Sequence, residues 1–160
     1  MTTECFYVNI TLSKDVKNMS NAKCKIVICD NVRQEMGPNG INNNIINILQ
    51  YIEPINIPSN YTFVASCLFS DLDKDIEHNF SIKLIDPNQK LIVNFDNIKF
   101  VVPKSEQENL QAPLNLQINA EFRNVIISSV GNYAVQAYDN NEFISAETVE
   151  VKKKSDSIEQ

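Results

Sequence analysis

The chain is poor in several residue types on which common enzyme and nucleotide-binding sites depend. Its 160 residues include three glycines, one histidine and no tryptophan. Three glycines cannot build a glycine-rich phosphate loop. A Ser/His or Cys/His nucleophile needs a histidine as its base. His78 is the only one, so no second histidine can share a metal site or a proton relay with it.

Clustered positive charge and long apolar runs are also scarce. The net charge is −6, and the only basic cluster is 152–154, so we expect no nucleic-acid partner. No apolar run approaches the roughly 18 to 20 residues of a membrane span, and the first residues do not resemble a signal peptide. We therefore expect a cytoplasmic protein with no membrane contact, in which Cys5, Cys24, Cys29 and Cys67 are reduced.

What the chain does contain is the pattern of β-strands. Apolar and polar residues alternate at 6–12, 23–30 and, most regularly, 114–122, whereas 61–69 is apolar at both parities, as in a strand buried on both faces. Turn signals separate the strands, as in the hairpin around Asp86-Pro87-Asn88. The pattern predicts an all-β, antiparallel two-sheet sandwich of eight or nine strands in one domain, 1–151, with a frayed or disordered tail, 152–160.

One stretch, 41–52, is ambiguous. Its isoleucines at 41, 45, 48 and 52 are spaced as one face of a helix. Isoleucine is β-branched and asparagine forms helices weakly, so propensity favours a strand. The turn at 37–40 would pair that strand with the preceding one, and we predict a strand here.

The stretch 128–152 predicts a corner and a final hairpin. After the strand that ends near Phe122, 123–129 would cross over, and Gly131 would permit a sharp bend. In immunoglobulin-like sandwiches a tyrosine at this corner bonds back to the backbone while its ring packs in the core, and we assign Tyr133 that role rather than ligand contact. Asn140 and Asn141 tolerate positive φ, which suits a two-residue hairpin turn.

The order of these segments resembles a bacterial family of small immunoglobulin-like β-sandwich domains of unknown function. The resemblance covers about residues 23–151 and rests on strand order and on short motifs, notably Cys29-Asp30 and Gly131-x-Tyr133. It implies the sandwich fold and a bacterial or phage setting. It implies no activity, cofactor or catalytic residue.

The residues that could support catalysis or metal binding are concentrated in 71–78. His78 is interpreted as a solvated loop histidine rather than a general base. Asp71, Asp73 and Asp75 have the spacing of the start of a calcium loop, but Ile76 and Ile82 stand where such a loop needs glycine and glutamate. We therefore expect no metal and no cofactor, and interpret Asp71, Asp73, Asp75 and His78 as a solvated tip open to a partner.

Three functions remain compatible with the sequence. A non-catalytic protein-interaction domain is favoured, with 14–22, 71–78 and 104–112 as candidate surfaces and with a homodimer through a sheet edge as one form of it. A sandwich that binds a small ligand or a carbohydrate is the alternative, with Tyr7, Tyr51 and Tyr138 as the aromatic rings that could stack on sugars. An acid/base hydrolase that depends on His78 is the third.

Overall fold

The computed structural model describes residues 21–110 and 114–154, and within them the chain is almost entirely β-strand. The elements are β1 Lys23–Gly37, β2 Gly40–Ile48, β3 Tyr51–Ile52, β4 Ser59–Leu72, β5 His78–Ile85, β6 Leu91–Phe100, α1 Lys104–Gln107, β7 Leu114–Ile127, β8 Gly131–Asp139 and β9 Glu142–Val151. The predicted all-β sandwich is confirmed. The strand predicted at 6–12 lies outside the described residues, as do Cys5, Tyr7 and 155–160.

The strands form two packed sheets. One has the order β2-β1-β4-β7 and the other β3-β9-β8-β5-β6. All neighbouring strands are antiparallel except β3 and β9, which pair in parallel over two residues. The sequence contains no sign of this parallel pair, because two residues are too few to show a period.

The core lies between the sheets and follows the alternation of the strands. In β4 the inward side chains are Phe63, Ala65, Cys67 and Phe69, and in β5 they include Phe80, Ile82 and Leu84. In the apolar run at 61–69, the side chains from Phe63 to Cys67 are buried on both faces of the strand, as the sequence predicts. Its outward side chains are buried because another part of the chain covers them.

The ambiguous stretch is strand, as β2 and β3, and the turn at 37–40 joins β1 to β2. The other predicted turns are also present. The Asp86 carboxylate accepts the backbone N–H groups of Asn88 and Lys90, both at 2.8 Å, in the β5–β6 turn. Asn140 and Asn141 have φ values of 48° and 64° in the β8–β9 turn.

One prediction about a connection is wrong, and another connection contains a short helix. The stretch expected to cross over after Phe122 continues as strand, because β4 starts early enough for Asn60 and Tyr61 to pair with Ile126 and Val125. The alternation breaks there at Asn124, which has a φ of 50°, and this irregularity hides the strand in the sequence. The polar loop 104–112 begins with one helical turn, α1.

Candidate interaction surfaces

Three connections meet at one end of the sandwich, which we call the loop end. They are the β4–β5 loop at 73–77, the connection at 101–110 that includes α1, and the turn at Asn140-Asn141. Because β4, β6 and β8 all run toward this end, the loops that follow them emerge side by side. Two of the surfaces predicted from sequence, 71–78 and 104–112, therefore belong to one surface. Most of the third, 14–22, lies outside the described residues.

Polar contacts join these connections to one another and to the strands. The Lys74 ammonium donates to the backbone carbonyls of Gln107 and Leu110, each at 2.7 Å. The Asn140 side-chain amide donates to the Glu77 carbonyl at 3.0 Å. Lys23 forms an ion pair with Asp71 at 2.8 Å. The loop end is therefore braced by bonds between separate parts of the chain.

His78 lies beneath the loop end and is not solvated, which corrects its sequence-based interpretation. It is the first residue of β5 and is 1% exposed, as is its partner Asp139 at the end of β8. The His78 Nδ1 atom lies 2.7 Å from Asp139 Oδ2, and Nε2 lies 2.7 Å from the Asp73 carbonyl oxygen. The His78 ring stacks on Phe80 with centroids 5.6 Å apart. The polar sequence context suggested a surface position, but a partner 61 residues away offsets the cost of burial.

The bonds of His78 fix its chemistry. A carbonyl oxygen only accepts, so Nε2 carries a hydrogen and donates it to Asp73. Nδ1 and the Asp139 carboxyl group share the second hydrogen bond. Both ring nitrogens are thus occupied and shielded from water, and neither can take a proton from a substrate in this conformation. The second carboxylate oxygen, Asp139 Oδ1, is buried with no hydrogen-bond partner in the described structure.

The acidic residues of the tip separate into different environments. Asp73 and Asp75 are exposed, whereas Asp71 is half-buried in its ion pair with Lys23. The Asp73 carboxylate accepts the backbone N–H of Asp75 at 2.9 Å. Within the described residues no three His, Cys, Asp or Glu side chains come together as a metal site would require. The tip therefore presents the exposed carboxylates of Asp73 and Asp75, and the hydrogen bond of His78 to the Asp73 carbonyl ties it to β5.

Gly131 and Tyr133 form a corner at the opposite end of the sandwich. The buried Tyr133 hydroxyl donates to the Ser129 carbonyl at 3.1 Å, while its ring packs in the core. Gly131 has a φ of 124°, and an added Cβ would lie 3.0 Å from the Pro87 ring. Only glycine fits this bend without strain. The hydroxyl is bound to backbone, so Tyr133 anchors the chain where β8 begins.

The second half of β1 and its partner β2 form an arm, residues 31–48, that extends beyond the paired part of β4. β1 pairs with β4 only up to Cys29, and beyond it pairs with β2 alone. The arm folds back over the outer face of the sheet, where the Asn43 amide donates to Gln117 Oε1 in β7 at 3.1 Å. This cover explains why Cys29, Val64 and Ser66 are buried although they point away from the core.

A polar network lies between the arm and the sheet. Gln117 Nε2 donates to Ser66 Oγ at 2.8 Å, and Ser66 Oγ donates to Asn119 Oδ1 at 2.8 Å. Asn43 Oδ1 is buried there with no partner in the described structure. Beside this network the arm leaves an open cleft of about 460 Å³. Its lining is Asn31, Val32, Arg33, Gln34, Val64, Asn119 and Glu121.

The arm exposes large apolar side chains toward its tip and along β2. Met36 and Ile41 are cross-strand partners and are 86% and 63% exposed, and Ile48 is 63% exposed. β2 is an edge strand with the sequence GINNNIINI, which contains no charge and no proline. Natural edge strands are usually protected by such residues. The arm thus combines exposed apolar area with an unprotected strand edge.

The described cysteines are free thiols. Burial raises the pKa of Cys29, whose thiol also donates weakly to the Asn31 carbonyl. A hydrogen bond with Cys24 and burial raise the pKa of Cys67 far above its ordinary value. Both thiols are therefore protonated at neutral pH, which makes them poor nucleophiles and poor metal ligands.

The two described tyrosines considered as sugar platforms already have partners. The Lys83 ammonium lies 4.4 Å from the centroid of the Tyr138 ring, and that of Lys152 lies 4.9 Å from the Tyr51 ring. Neither tyrosine lines the cleft beside the arm. The described structure does not bring these rings together into a stacking surface.

A comparison with known protein families identifies the family of this chain. A model of a family of unknown function, DUF6941, matches residues 25–152. The chain belongs to this family. The matched region contains the arm, the His78–Asp139 pair and the Tyr133 corner, and it begins after the 6–12 segment. No curated protein matches the sequence.

Among the described residues, no helix has the length and apolar content needed to cross a bilayer.

Proposed function

We propose that the protein is a non-catalytic, immunoglobulin-like protein-interaction domain of bacterial or phage origin that contacts its partner through the arm. The observation that carries this proposal is the exposure of Met36, Ile41 and Ile48 on an arm with an uncharged edge strand. Met36 and Ile41 are neighbours at the tip of the arm, and Ile48 lies farther along β2. Large exposed apolar side chains that neighbour one another on a protein surface commonly mark a contact site. An open strand edge adds backbone donors and acceptors to which a partner strand can bind.

The strand order supports the immunoglobulin-like assignment. In chain order, β1, β4 and β7 match strands A, B and E of one sheet, and β5, β8 and β9 match C, F and G of the other. Tyr133 occupies the position of the tyrosine corner, at the start of the strand equivalent to F. In this comparison the arm is an addition between strands A and B. Additions to a scaffold are where its specific contacts are commonly carried.

The arm is favoured over the loop end because polar side chains of the loop end already bind within the chain, whereas apolar side chains of the arm are exposed. At the loop end, Lys74, Asn140 and His78 bind other parts of the same chain. The arm has large side chains that contact little else. A partner that covers them removes apolar area from water, which contributes roughly 25 cal/mol per Å² before the costs of association.

The cleft beside the arm supports a second candidate, the binding of a small polar ligand. Its volume of about 460 Å³ lies in the usual range of ligand sites, and its lining includes the charged residues Arg33 and Glu121. It is less favoured because Glu121 already binds Arg123 at 2.6 Å and because no aromatic side chain lines the cleft. Thermal shift assays against small-molecule and glycan panels would test it, and the absence of any shift would count against it.

The interaction proposal is tested by adding charge to the arm. We expect Met36→Lys/Ile41→Lys to reduce capture of specific proteins from a source-cell lysate at least about tenfold, because two ammonium groups would be desolvated at the contact. The matched control is Ile76→Lys/Val101→Lys, which alters two exposed apolar residues at the loop end. It should capture the same proteins as the unaltered chain. Circular dichroism should show that both variants are folded.

The opposite pattern would contradict the proposal. If the loop-end variant loses the captured proteins and the arm variant keeps them, the arm is not the contact surface. Light scattering on the purified chain separates a self-partner from a foreign one. A dimer that the arm variant disrupts would identify the partner as a second copy paired through β2.

A further inference from the structure

A polar cleft lies on the outer face of the five-stranded sheet, which does not include the arm. We call it the sheet-face cleft, and its volume is about 160 Å³. This space corresponds to roughly five water molecules, so it has room for one small polar unit. Its polar lining includes Asn79, Ser81, Lys83, Asp96, Asn97 and Asn141.

The alternation of β5 brings three polar side chains to the cleft. The residues at 80, 82 and 84 are buried in the core, so their neighbours Asn79, Ser81 and Lys83 point outward. Asn79 Oδ1 is buried with no hydrogen-bond partner in the described structure. A buried acceptor without a partner costs free energy, which a hydroxyl group bound in the cleft would offset.

A β-bulge in β6 adds two more polar side chains. The pairing of β5 with β6 shifts register between Phe80 and Ile82, so Asp96 and Asn97 together lie opposite Ser81. Asn97 has a φ of 57° at this irregularity. In a regular strand, one of two consecutive side chains would point into the core. Here both line the cleft, because the bulge re-aims them.

The Asp96 carboxylate orients the neighbouring amides. Its Oδ2 accepts the Asn94 side-chain amide at 3.2 Å, and its Oδ1 accepts that of Asn97, also at 3.2 Å. Each amide uses an N–H group in this contact and keeps its oxygen as an acceptor. The Lys83 ammonium carries only donors. The lining therefore both donates and accepts hydrogen bonds.

An exposed aromatic ring borders the cleft. Tyr138 pairs with the lining residue Ser81 on one side and with Phe143 on the other. The Phe143 ring is 56% exposed and meets the Tyr138 ring edge to face, with centroids 5.7 Å apart. The Lys83 ammonium lies over the Tyr138 ring, 4.4 Å from its centroid. Phe143 is thus the aromatic surface next to the cleft that a ligand can contact.

The groups of the cleft favour a neutral ligand rich in hydroxyl groups. The charged side chains of the described lining are Lys83 and Asp96, whose charges cancel. A calcium site would need several carboxylate oxygens and no ammonium beside them. A hydroxyl group both donates and accepts, which matches this lining. A sugar carries hydroxyl groups around an apolar ring face, and that face can pack against an exposed aromatic ring.

We propose that the sheet-face cleft binds a neutral saccharide. One sugar unit occupies the cleft, where it forms hydrogen bonds with Asn79, Ser81 and Asp96, and the adjoining unit packs on Phe143. The arm belongs to the other sheet, so this site is separate from the proposed protein contact. It is also separate from the cleft beside the arm, whose described lining contains no aromatic side chain.

An NMR titration of the isotope-labelled full chain tests the proposal, because it locates a contact residue by residue. The probes are glucose, galactose, mannose and N-acetylglucosamine, each as the free sugar and as a short oligosaccharide. We expect at least one probe to shift the backbone amide signals of 79–83, 94–97 and 141–143. The signals of 31–34, which line the cleft beside the arm, should stay unchanged.

Two variants with matched controls separate the ring from the polar groups. Phe143→Ala and Asp96→Ala should each weaken binding of that probe about tenfold or more, because they remove an apolar contact and a charged acceptor. Tyr51→Ala and Asp75→Ala are the controls, since they remove an exposed ring and an exposed carboxylate elsewhere. Both controls should bind as tightly as the unaltered chain, and the NMR spectrum of each variant shows whether it is folded.

Three results would overturn the proposal. The first is a titration in which no probe shifts the signals of the sheet-face cleft. The second is a set of shifts that falls on 31–34 and disappears in Arg33→Ala, which would place the saccharide beside the arm. The third is unchanged affinity in both Phe143→Ala and Asp96→Ala. Met36→Lys/Ile41→Lys should bind the saccharide normally, so failure of the protein contact and failure of this site are distinguishable.

Discussion

The loop end and the arm are both polar in sequence, yet the polar groups of the loop end tie separate segments together, whereas the arm exposes large apolar side chains on an uncharged edge strand. At the loop end, charged and amide side chains bind backbone carbonyls of other segments, and one histidine–carboxylate pair is buried below them. In the arm, most residues of β2 face solvent, and large apolar side chains are exposed among them. Polar residues brace the first region, and the second is the surface that we propose contacts a partner.

The largest expected effect comes from breaking the buried pair under the loop end. Asp139→Ala should lower the free energy of unfolding by about 3 kcal/mol, because it leaves a ring nitrogen of the buried His78 without its hydrogen-bond partner. Urea unfolding measures this loss. Asp75→Ala is the control, since its exposed carboxylate should contribute less than about 0.5 kcal/mol. Equal stabilities of the two variants would show that the pair does not brace the loop end.

A smaller effect is expected where the loops are tied together. Lys74→Met should cost about 1 to 2 kcal/mol, because the carbonyls of Gln107 and Leu110 lose a charged donor. Lys104→Met, an exposed change in the same connection, should leave stability unchanged in the same urea titration. A loss for Lys104→Met that matched the loss for Lys74→Met would mean that general surface charge, and not these two bonds, is responsible.

The smallest expected effect is a difference in reaction rate between two thiols, one beneath the arm and one in the core. Cys29 lies beneath the arm and Cys67 lies in the core, and both have a raised pKa, so alkylation by iodoacetamide near pH 8 should be slow at both. If the arm opens separately from the rest of the domain, the Cys29 thiol would become exposed without unfolding of the sandwich. We expect Cys29 to react about tenfold or more faster than Cys67.

Mass spectrometry of the alkylated chain gives both rates in one experiment. If Cys29 and Cys67 react at the same rate, the arm opens only when the whole domain unfolds. The arm would then be part of the rigid scaffold, and its contrast with the loop end would weaken.

The raised thiol pKa values also set a direction for stability against pH. A thiol whose pKa is higher in the folded state stabilises the fold fully below its unfolded value, near 8.5. That contribution is lost as the pH rises toward the folded value. The free energy of unfolding should therefore decrease above about pH 8.5, and Cys67→Ala should reduce this slope.

Local patterns predict most strands and turns of this fold. Alternation identifies β7, and the asparagine pair before β9 marks a tight turn, because both signals arise within a few residues. The fold-back of the arm is not predictable in this way. The residues after Cys29 have the pattern of an ordinary strand, and only the contact of Asn43 with Gln117 distinguishes an arm that covers the sheet.

The candidate site is less predictable than the fold for the same reason. His78 and Asp139 each lie in polar sequence, and neither local context signals burial. Their pairing depends on β5 and β8 being neighbours in the sheet, which is a long-range property. The exposure of Met36 and Ile41 also requires the structure, since apolar residues in a strand ordinarily predict a buried face.

Photo-crosslinking in source cells decides between the arm and the loop end as the contact surface. A photoreactive phenylalanine analogue would replace Ile41 in the arm in one chain and Asp75 at the loop end in another. If the arm is the contact surface, position 41 gives a discrete covalent adduct and position 75 gives none. An adduct from position 75 with none from position 41 would refute the role of the arm.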